Sequence, residues 1–98
     1  MEYSRRSDFT PHLNTIFDVH PAGRRDTVSI ELVEILEKSG AKTESFSLLF
    51  RGSDENVFGH DTHIVTHPVL GEFELFIGPV MYPKIKEVCY QAVFSKLK

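Results

Sequence analysis

The sequence contains little of what disulfide-stapled, membrane-spanning or nucleic-acid-binding domains depend on. It has 1 cysteine and no tryptophan, so no internal disulfide can form and phenylalanine and tyrosine must supply the bulky core residues. Acidic residues outnumber basic ones, and a net charge of −3 argues against a nucleic-acid binder. No apolar run approaches the ~20 residues of a spanning helix, and residues 1–9 show no secretory signal. These absences predict a cytoplasmic protein with no membrane contact.

What the chain does contain is enough apolar material for one core. Its 98 residues are 41% hydrophobic and 26% charged, which is typical of a single globular domain. We expect the polar residues 1–8 to form a flexible N-terminus and residues 9–98 to form one β-rich domain. Eight phenylalanines in a chain of this length favour a sheet or barrel interior.

Alternating apolar and polar residues predict strands in much of the chain. The clearest pattern is EFELFIGPV, residues 72–80, in which Phe73, Leu75 and Ile77 share one face. Residues 62–67 are rich in β-branched side chains and predict a hairpin with that strand. Residues 15–20 and 44–50 are further predicted strands.

Two segments, residues 27–38 and 85–97, fit both a helix and a strand. In the first, the apolar residues share one side of a helix, but a strand with a bulge near Leu32 and Val33 also accommodates them. Nearer the N-terminus, the residues around Pro11 predict one helical turn, from which Phe9 and Leu13, four residues apart, are both expected to point inward. Taken together, the segments predict a mainly antiparallel all-β fold, a small five- to six-stranded barrel or sandwich with a short N-terminal helical turn.

Several motifs, in the same order along nearly the whole chain, resemble a family of short bacterial proteins classified only as a domain of unknown function. These motifs are FTPHLNTIF at 9–17, FSLLFRG at 46–52, HPVLG at 67–71 followed by ELF at 74–76, and YQAVF at 90–94. The resemblance implies an all-β fold, in which both ambiguous segments are strands, and it assigns no catalytic residues. Family members are often encoded beside phage-tail-collar-like, microcystin-dependent proteins, which implies a role in a tail-like or surface assembly. The sequence departs from the family pattern at His63 and in the basic residues of 82–86, differences expected to affect the surface more than the fold.

Three histidines, His60, His63 and His67, are candidate metal ligands. On a helix their spacing would place them on one face, but the β-branched residues between them and Pro68 after them favour a strand. On a strand, His63 and His67 share a face and lie ~13 Å apart, at ~3.3 Å per residue. One zinc ion with bonds of ~2.1 Å cannot join them. We therefore predict a surface strand with outward polar residues, no metal and no cofactor; a metal- or small-ligand-binding protein that uses this group is the alternative.

No constellation of residues predicts catalysis. Cys89 has no neighbouring cation in the sequence, and a lone cysteine is most often a small buried apolar residue. Aromatic and basic residues alternate at 81–86, which leaves a single-strand nucleic-acid-binding barrel as a further alternative.

Arg51, His12 and His67 are candidate contacts to a partner or ligand. Arg51 ends an apolar strand, where it is expected to pair with a carboxylate at a barrel rim or to contact a partner. His12, at the expected entrance of the barrel, should likewise either satisfy nearby backbone groups or contact a partner or ligand. We predict a non-enzymatic structural or interaction module that binds another protein through a strand edge or the barrel rim.

Overall fold

Six strands and a short N-terminal helical segment make up the fold. The computed structural model describes residues 6–40, 43–53, 57–81 and 87–97. Helix α1 (Arg6–Phe9) runs into a 3₁₀ turn (Thr10–His12), and we call these two elements together the N-terminal plug. The strands are β1 (Ile16–His20), β2 (Val28–Ser39), β3 (Thr43–Arg51), β4 (Asp61–His67), β5 (Gly71–Val80) and β6 (Cys89–Leu97).

The strands form a closed barrel in which every pairing is antiparallel. Their order around the barrel is β1-β2-β3-β6-β5-β4. Strands β1 to β3 follow one another as hairpins and β4 returns to lie beside β1, which is a Greek key. The predicted all-β fold with an N-terminal helical turn is confirmed, and of the two architectures left open, barrel or sandwich, the strands form the barrel. A six-stranded barrel of this order differs from the five-stranded oligonucleotide-binding fold.

The first ambiguous segment is strand β2, and it contains the bulge that the sequence indicated. Its pairing with β3 shifts by one residue between Leu32 and Glu34. Val28, Ile30 and Leu32 are buried before the shift, and Ile35 packs against the core after it. The second ambiguous segment forms β6 from residue 89 onwards.

The inward faces of all six strands fill the barrel with large apolar side chains. The buried strand residues that pack together are Phe17, Val19, Val28, Ile30, Leu32, Phe46, Leu48, Phe50, Val65, Phe73, Leu75, Ile77, Tyr90 and Ala92. This set contains Phe73, Leu75 and Ile77, the three residues that the alternation in β5 placed on one face. Phenylalanine therefore forms the barrel interior, as its abundance indicated.

The N-terminal plug covers one end of this core. Of the two apolar residues expected to point inward from it, Phe9 is wholly buried, whereas Leu13 is 38% exposed. The prediction for Leu13 is wrong because the 3₁₀ turn ends at His12 and Asn14 adopts a left-handed conformation, with φ 67°, that turns the chain away. Residues 6–8 of the expected flexible terminus belong to the plug, and residues 1–5 lie outside the described residues.

Candidate interaction site

The hydrogen-bonded ladder between β5 and β6 is short. Among the described residues, these strands pair only at residues 78–80 of β5 and 89–91 of β6. Beyond that point β6 keeps its ladder with β3, and β5 keeps its ladder with β4. No described strand pairs with the other side of residues 92–97. We call the opening between residues 71–77 of β5 and residues 92–97 of β6 the seam.

The N-terminal plug closes the inner side of the seam by apolar packing. The ring of Phe9 lies between Phe73 of β5 and Phe94 of β6, with centroid distances of 6.1 Å and 5.6 Å. Phe46 of β3 completes the cluster, 6.3 Å from Phe9 and stacked on Phe94 at 4.7 Å. Tilted and stacked aromatic contacts at these distances are favourable. Side-chain packing therefore replaces backbone hydrogen bonds as the closure of the barrel here.

Two large apolar side chains border the outer side of the seam. Phe76 of β5 is 63% exposed and Val93 of β6 is 60% exposed. Counting onward from the Gly78–Gln91 pair, these residues would face each other if the ladder continued. Single exposed apolar residues are ordinary, but two of them beside a strand edge that no described strand pairs with mark a surface suited to another chain.

His67 ties the plug to the barrel at the end of β4. Its side chain is buried, and Nδ1 accepts the backbone N–H groups of Val69 (3.1 Å) and Leu70 (3.3 Å). The proton therefore resides on Nε2, which donates to Oγ1 of Thr15 at 3.0 Å. The Thr15 hydroxyl in turn donates to the carbonyl of His12 at 2.6 Å. Burial, and next the neighbouring His12, lower the pKa of His67, while Asp18 acts in the opposite direction.

His63 ties two loops together at the other end of β4. Its Nδ1 accepts the N–H of Ala22, and its Nε2 donates to the carbonyl of Gly59, both at 2.8 Å. The ring of Phe58 packs against it edge to face at 4.9 Å. His63 is thus a buried residue that joins the β1–β2 and β3–β4 connections.

The prediction that these histidines point outward is therefore wrong for His63 and His67. Both lie on the inward face of β4, because each has enough backbone and side-chain partners to satisfy both ring nitrogens. His60 is separate and exposed, with its ring against Gly78, where a Cβ atom would overlap it. In the described part of the chain, no three histidine, cysteine or acidic side chains come together as metal ligands.

Of the predicted contact residues, the structure brings His12 and His67 together and places Arg51 elsewhere. The two imidazole rings meet edge to face, with centroids 4.7 Å apart. Arg51 pairs across the outer face with Glu31 of β2, its cross-strand neighbour, at 2.5 Å. The expected ion pair is thus present, and the Arg51 side chain is 45% exposed.

Cys89 is buried, as expected of a lone cysteine, and burial raises the pKa of its thiol. Glu87 raises this pKa further, while Arg51 lowers it. A protonated, buried thiol is a poor nucleophile. Apart from Met81, the predicted basic-aromatic strip at 81–86 lies outside the described residues.

A second concave surface lies on the outer side of β4, next to the β1–β2 turn. It has a volume of about 550 Å³ and is lined by residues 20–24, Thr62, Ile64 and Glu74. Its cation, Arg24, is already engaged by the carboxylate of Asp26 and donates to the carbonyl of Val57 at 2.8 Å. The cation of this groove is therefore occupied by groups of the same chain.

Sequence reasoning identified the strands that form the seam but missed the residues that border it. A signal for them exists: Phe76 and Val93 are apolar residues at positions where the alternation of their strands calls for polar ones. The seam itself depends on which strands become neighbours, which the alternation does not encode.

The fold and this site define a small antiparallel β-barrel with a plugged seam. A family model described as "Domain of unknown function (DUF6916)" matches residues 4–94, and the chain belongs to this family. Searches of curated proteins and of solved structures found no match. Across the described residues, no helix has the length and apolar character needed to cross a membrane.

Proposed function

We propose that the protein is a non-enzymatic interaction module that binds an extended segment of another protein along the β6 edge of the seam. The observation that carries this proposal is the interruption of the β5–β6 ladder, which leaves residues 92–97 with a described strand on one side only. An extended peptide that adds to such an edge gains main-chain hydrogen bonds, while alternate side chains give specificity.

The borders of the seam favour a particular kind of segment. Phe76 and Val93 offer apolar contact on the outer face, so alternate side chains of the partner are expected to be apolar. Glu72 and Glu74 are exposed along the β5 side of the same opening. Their charge favours a partner segment that also carries lysine or arginine.

The proposed setting is cytoplasmic, and the proposed partner is a structural protein. The gene neighbourhood implied by the family resemblance favours a component of a tail-like or surface assembly. A binding role also agrees with a thiol that is buried and with histidines whose ring nitrogens are used for internal hydrogen bonds.

A peptide selection tests this proposal. We expect a displayed library of random dodecamers, selected on the folded protein, to yield sequences that alternate apolar residues and include basic ones. Calorimetry should then show that Phe76→Asp and Val93→Asp each weaken binding of a selected peptide by at least ~10-fold, or ~1.4 kcal/mol.

The matched control is Ile16→Asp. Ile16 is 50% exposed on β1, three strands from β6 in the barrel order, and its replacement should leave the affinity within ~2-fold. Failure to select any peptide at both pH 7.5 and pH 5.5, or equal affinities for the seam variants and the control, contradicts the proposal.

A further inference from the structure

The N-terminal plug occupies the space that a partner strand on β6 would need, and the inference drawn here rests on the function proposed above. Phe9 sits between Phe73 and Phe94, so its ring spans the seam from one strand to the other. A segment paired with the whole of residues 92–97 would have to displace it. The plug is therefore an internal competitor of the proposed partner.

The end of the plug is held by a short chain of hydrogen bonds. The N–H of Asn14 donates to the carbonyl of Leu32 on β2 at 2.7 Å. The hydroxyl of Thr15 accepts a hydrogen bond from Nε2–H of His67 on β4. The same hydroxyl donates a hydrogen bond to the carbonyl of His12, the last residue of the plug. His67 is thus the side chain that links the plug to β4.

Nε2–H is present in both the neutral and the protonated ring, so the link to Thr15 depends on the neutral imidazole through the position of the ring, which the hydrogen bonds of Nδ1 hold. Because Nδ1 of His67 accepts two backbone N–H groups, a proton from solvent that binds there would face both donors and remove both hydrogen bonds. The new charge would also lie against the ring of His12, 4.7 Å away in the plug. The charged and titratable groups that act on His67 are His12 from the plug and Asp18 from β1, of which only Asp18 favours the protonated form.

We propose that His67 is an acid-sensitive latch: when its ring takes up a proton, the plug leaves the seam and the β6 edge becomes available to the partner. This assigns to His67 a role in regulating access to the site. Loss of Phe9 from the seam would at the same time uncover Phe73 and Phe94, which adds apolar surface for the partner.

The direction of the pH dependence follows from the folded state. The pKa of His67 in the closed barrel lies below its ordinary value of 6.5, so the closed form prefers the neutral ring. The contribution of the neutral His67 ring to holding the plug is complete above pH 6.5 and is lost as the pH falls from 6.5 towards the lowered pKa. At pH 5.5, one unit below 6.5, opening is favoured by up to ~10-fold relative to neutral pH.

Amide hydrogen exchange of the full chain tests the latch. Exchange at Asn14 and Thr15, corrected for the intrinsic effect of pH, should report an opening constant that rises towards ~10-fold between pH 7.5 and 5.5. His67→Gln, which keeps an amide donor but does not titrate, should abolish the rise. His20→Gln is the matched control, because His20 bonds to Thr66 and Thr27 rather than to the plug, and it should keep the rise.

A second variant serves if His67→Gln does not fold. His12→Gln removes one of the influences that lower the pKa of His67 in the closed barrel, so the rise of the opening constant between pH 7.5 and 5.5 should be smaller than in the wild type. Unchanged protection in the wild type, or an equal acid response in the His67 variant, overturns the latch.

Binding of a selected peptide at both pH values separates the two proposals. Acid release of the plug without peptide binding supports the latch and refutes the interaction function. Peptide binding that is equally strong at both pH values, with the plug in place, supports the edge site and overturns the latch.

Discussion

Replacement of Phe9 by alanine is the perturbation that most directly tests how the seam is closed. The ring is wholly buried, and it touches an aromatic residue from each of β3, β5 and β6 at centroid distances of 5.6 to 6.3 Å. If this packing replaces the missing backbone ladder, Phe9→Ala should destabilise the whole barrel and not the terminus alone.

The size of the effect follows from burial and from the position of Phe9 in a terminal element. Truncation of a buried phenylalanine to alanine costs ~3–5 kcal/mol when a cavity remains. A terminal segment can detach and so avoid an empty cavity, which places the expected loss near ~3 kcal/mol. For a domain of this size, that corresponds to a fall in Tm of ~12–24 °C, at ~4–8 °C per kcal/mol.

Urea unfolding followed by far-ultraviolet circular dichroism measures this loss. Leu13→Ala is the matched control, since Leu13 follows the same plug but is 38% exposed, and it should cost less than ~1 kcal/mol. Equal losses for the two variants, or a loss below ~1 kcal/mol for Phe9→Ala, would refute closure of the seam by Phe9.

Two further predictions concern the end of β3. Gly52→Ala should lower the free energy of unfolding by ~1–3 kcal/mol in thermal melts. The reason is that the new Cβ would lie 2.6 Å from Cε2 of Tyr90, a buried ring that is stacked on Phe58. Wild-type stability of the variant would contradict this. Arg51→Gln breaks the partly exposed pair with Glu31 and should cost at most ~1 kcal/mol. It should also leave the affinity for selected peptides unchanged by calorimetry, and a loss of affinity would show that Arg51 contacts the partner.

Strand β2 shows why the sequence left two structures open for one segment. Val28, Ile30 and Leu32 face inward in one phase, and Ile35 faces inward in the opposite phase after the bulge. Two runs of period two that are joined by a one-residue shift place apolar residues close to a helical spacing. The apolar pattern of this segment therefore fits both a helix and a strand, and pairing with the neighbouring strands decides for the strand.

The histidines of β4 show a different limit. Alternation along β4 correctly places His63 and His67 on one face, but polarity alone assigned that face to solvent. Their burial depends on hydrogen bonds to residues distant in sequence, such as Ala22 and Thr15. A buried polar group is stable when it is satisfied in this way, and such partners are visible only once the chain is folded.

The seam is the least predictable feature of the fold. Strand β5 was predicted from its own alternation, and the pattern of residues 85–97 fitted both a helix and a strand, yet the point at which the β5–β6 ladder stops is set by the way the barrel closes around Phe9. Helical content near Pro11 was expected, but its role as a plug between two strands was not. Local patterns therefore predicted the elements, and long-range packing determined the site.

Hydrogen exchange of the protein with a selected peptide bound tests the central claim most directly. Because a strand that adds to an edge bonds every second residue of that edge, protection should increase at alternate backbone amides of residues 92–97. Increased protection confined to the groove beside residues 20–24, or unchanged exchange throughout residues 92–97, would contradict the claim that the β6 edge is where this protein binds its partner.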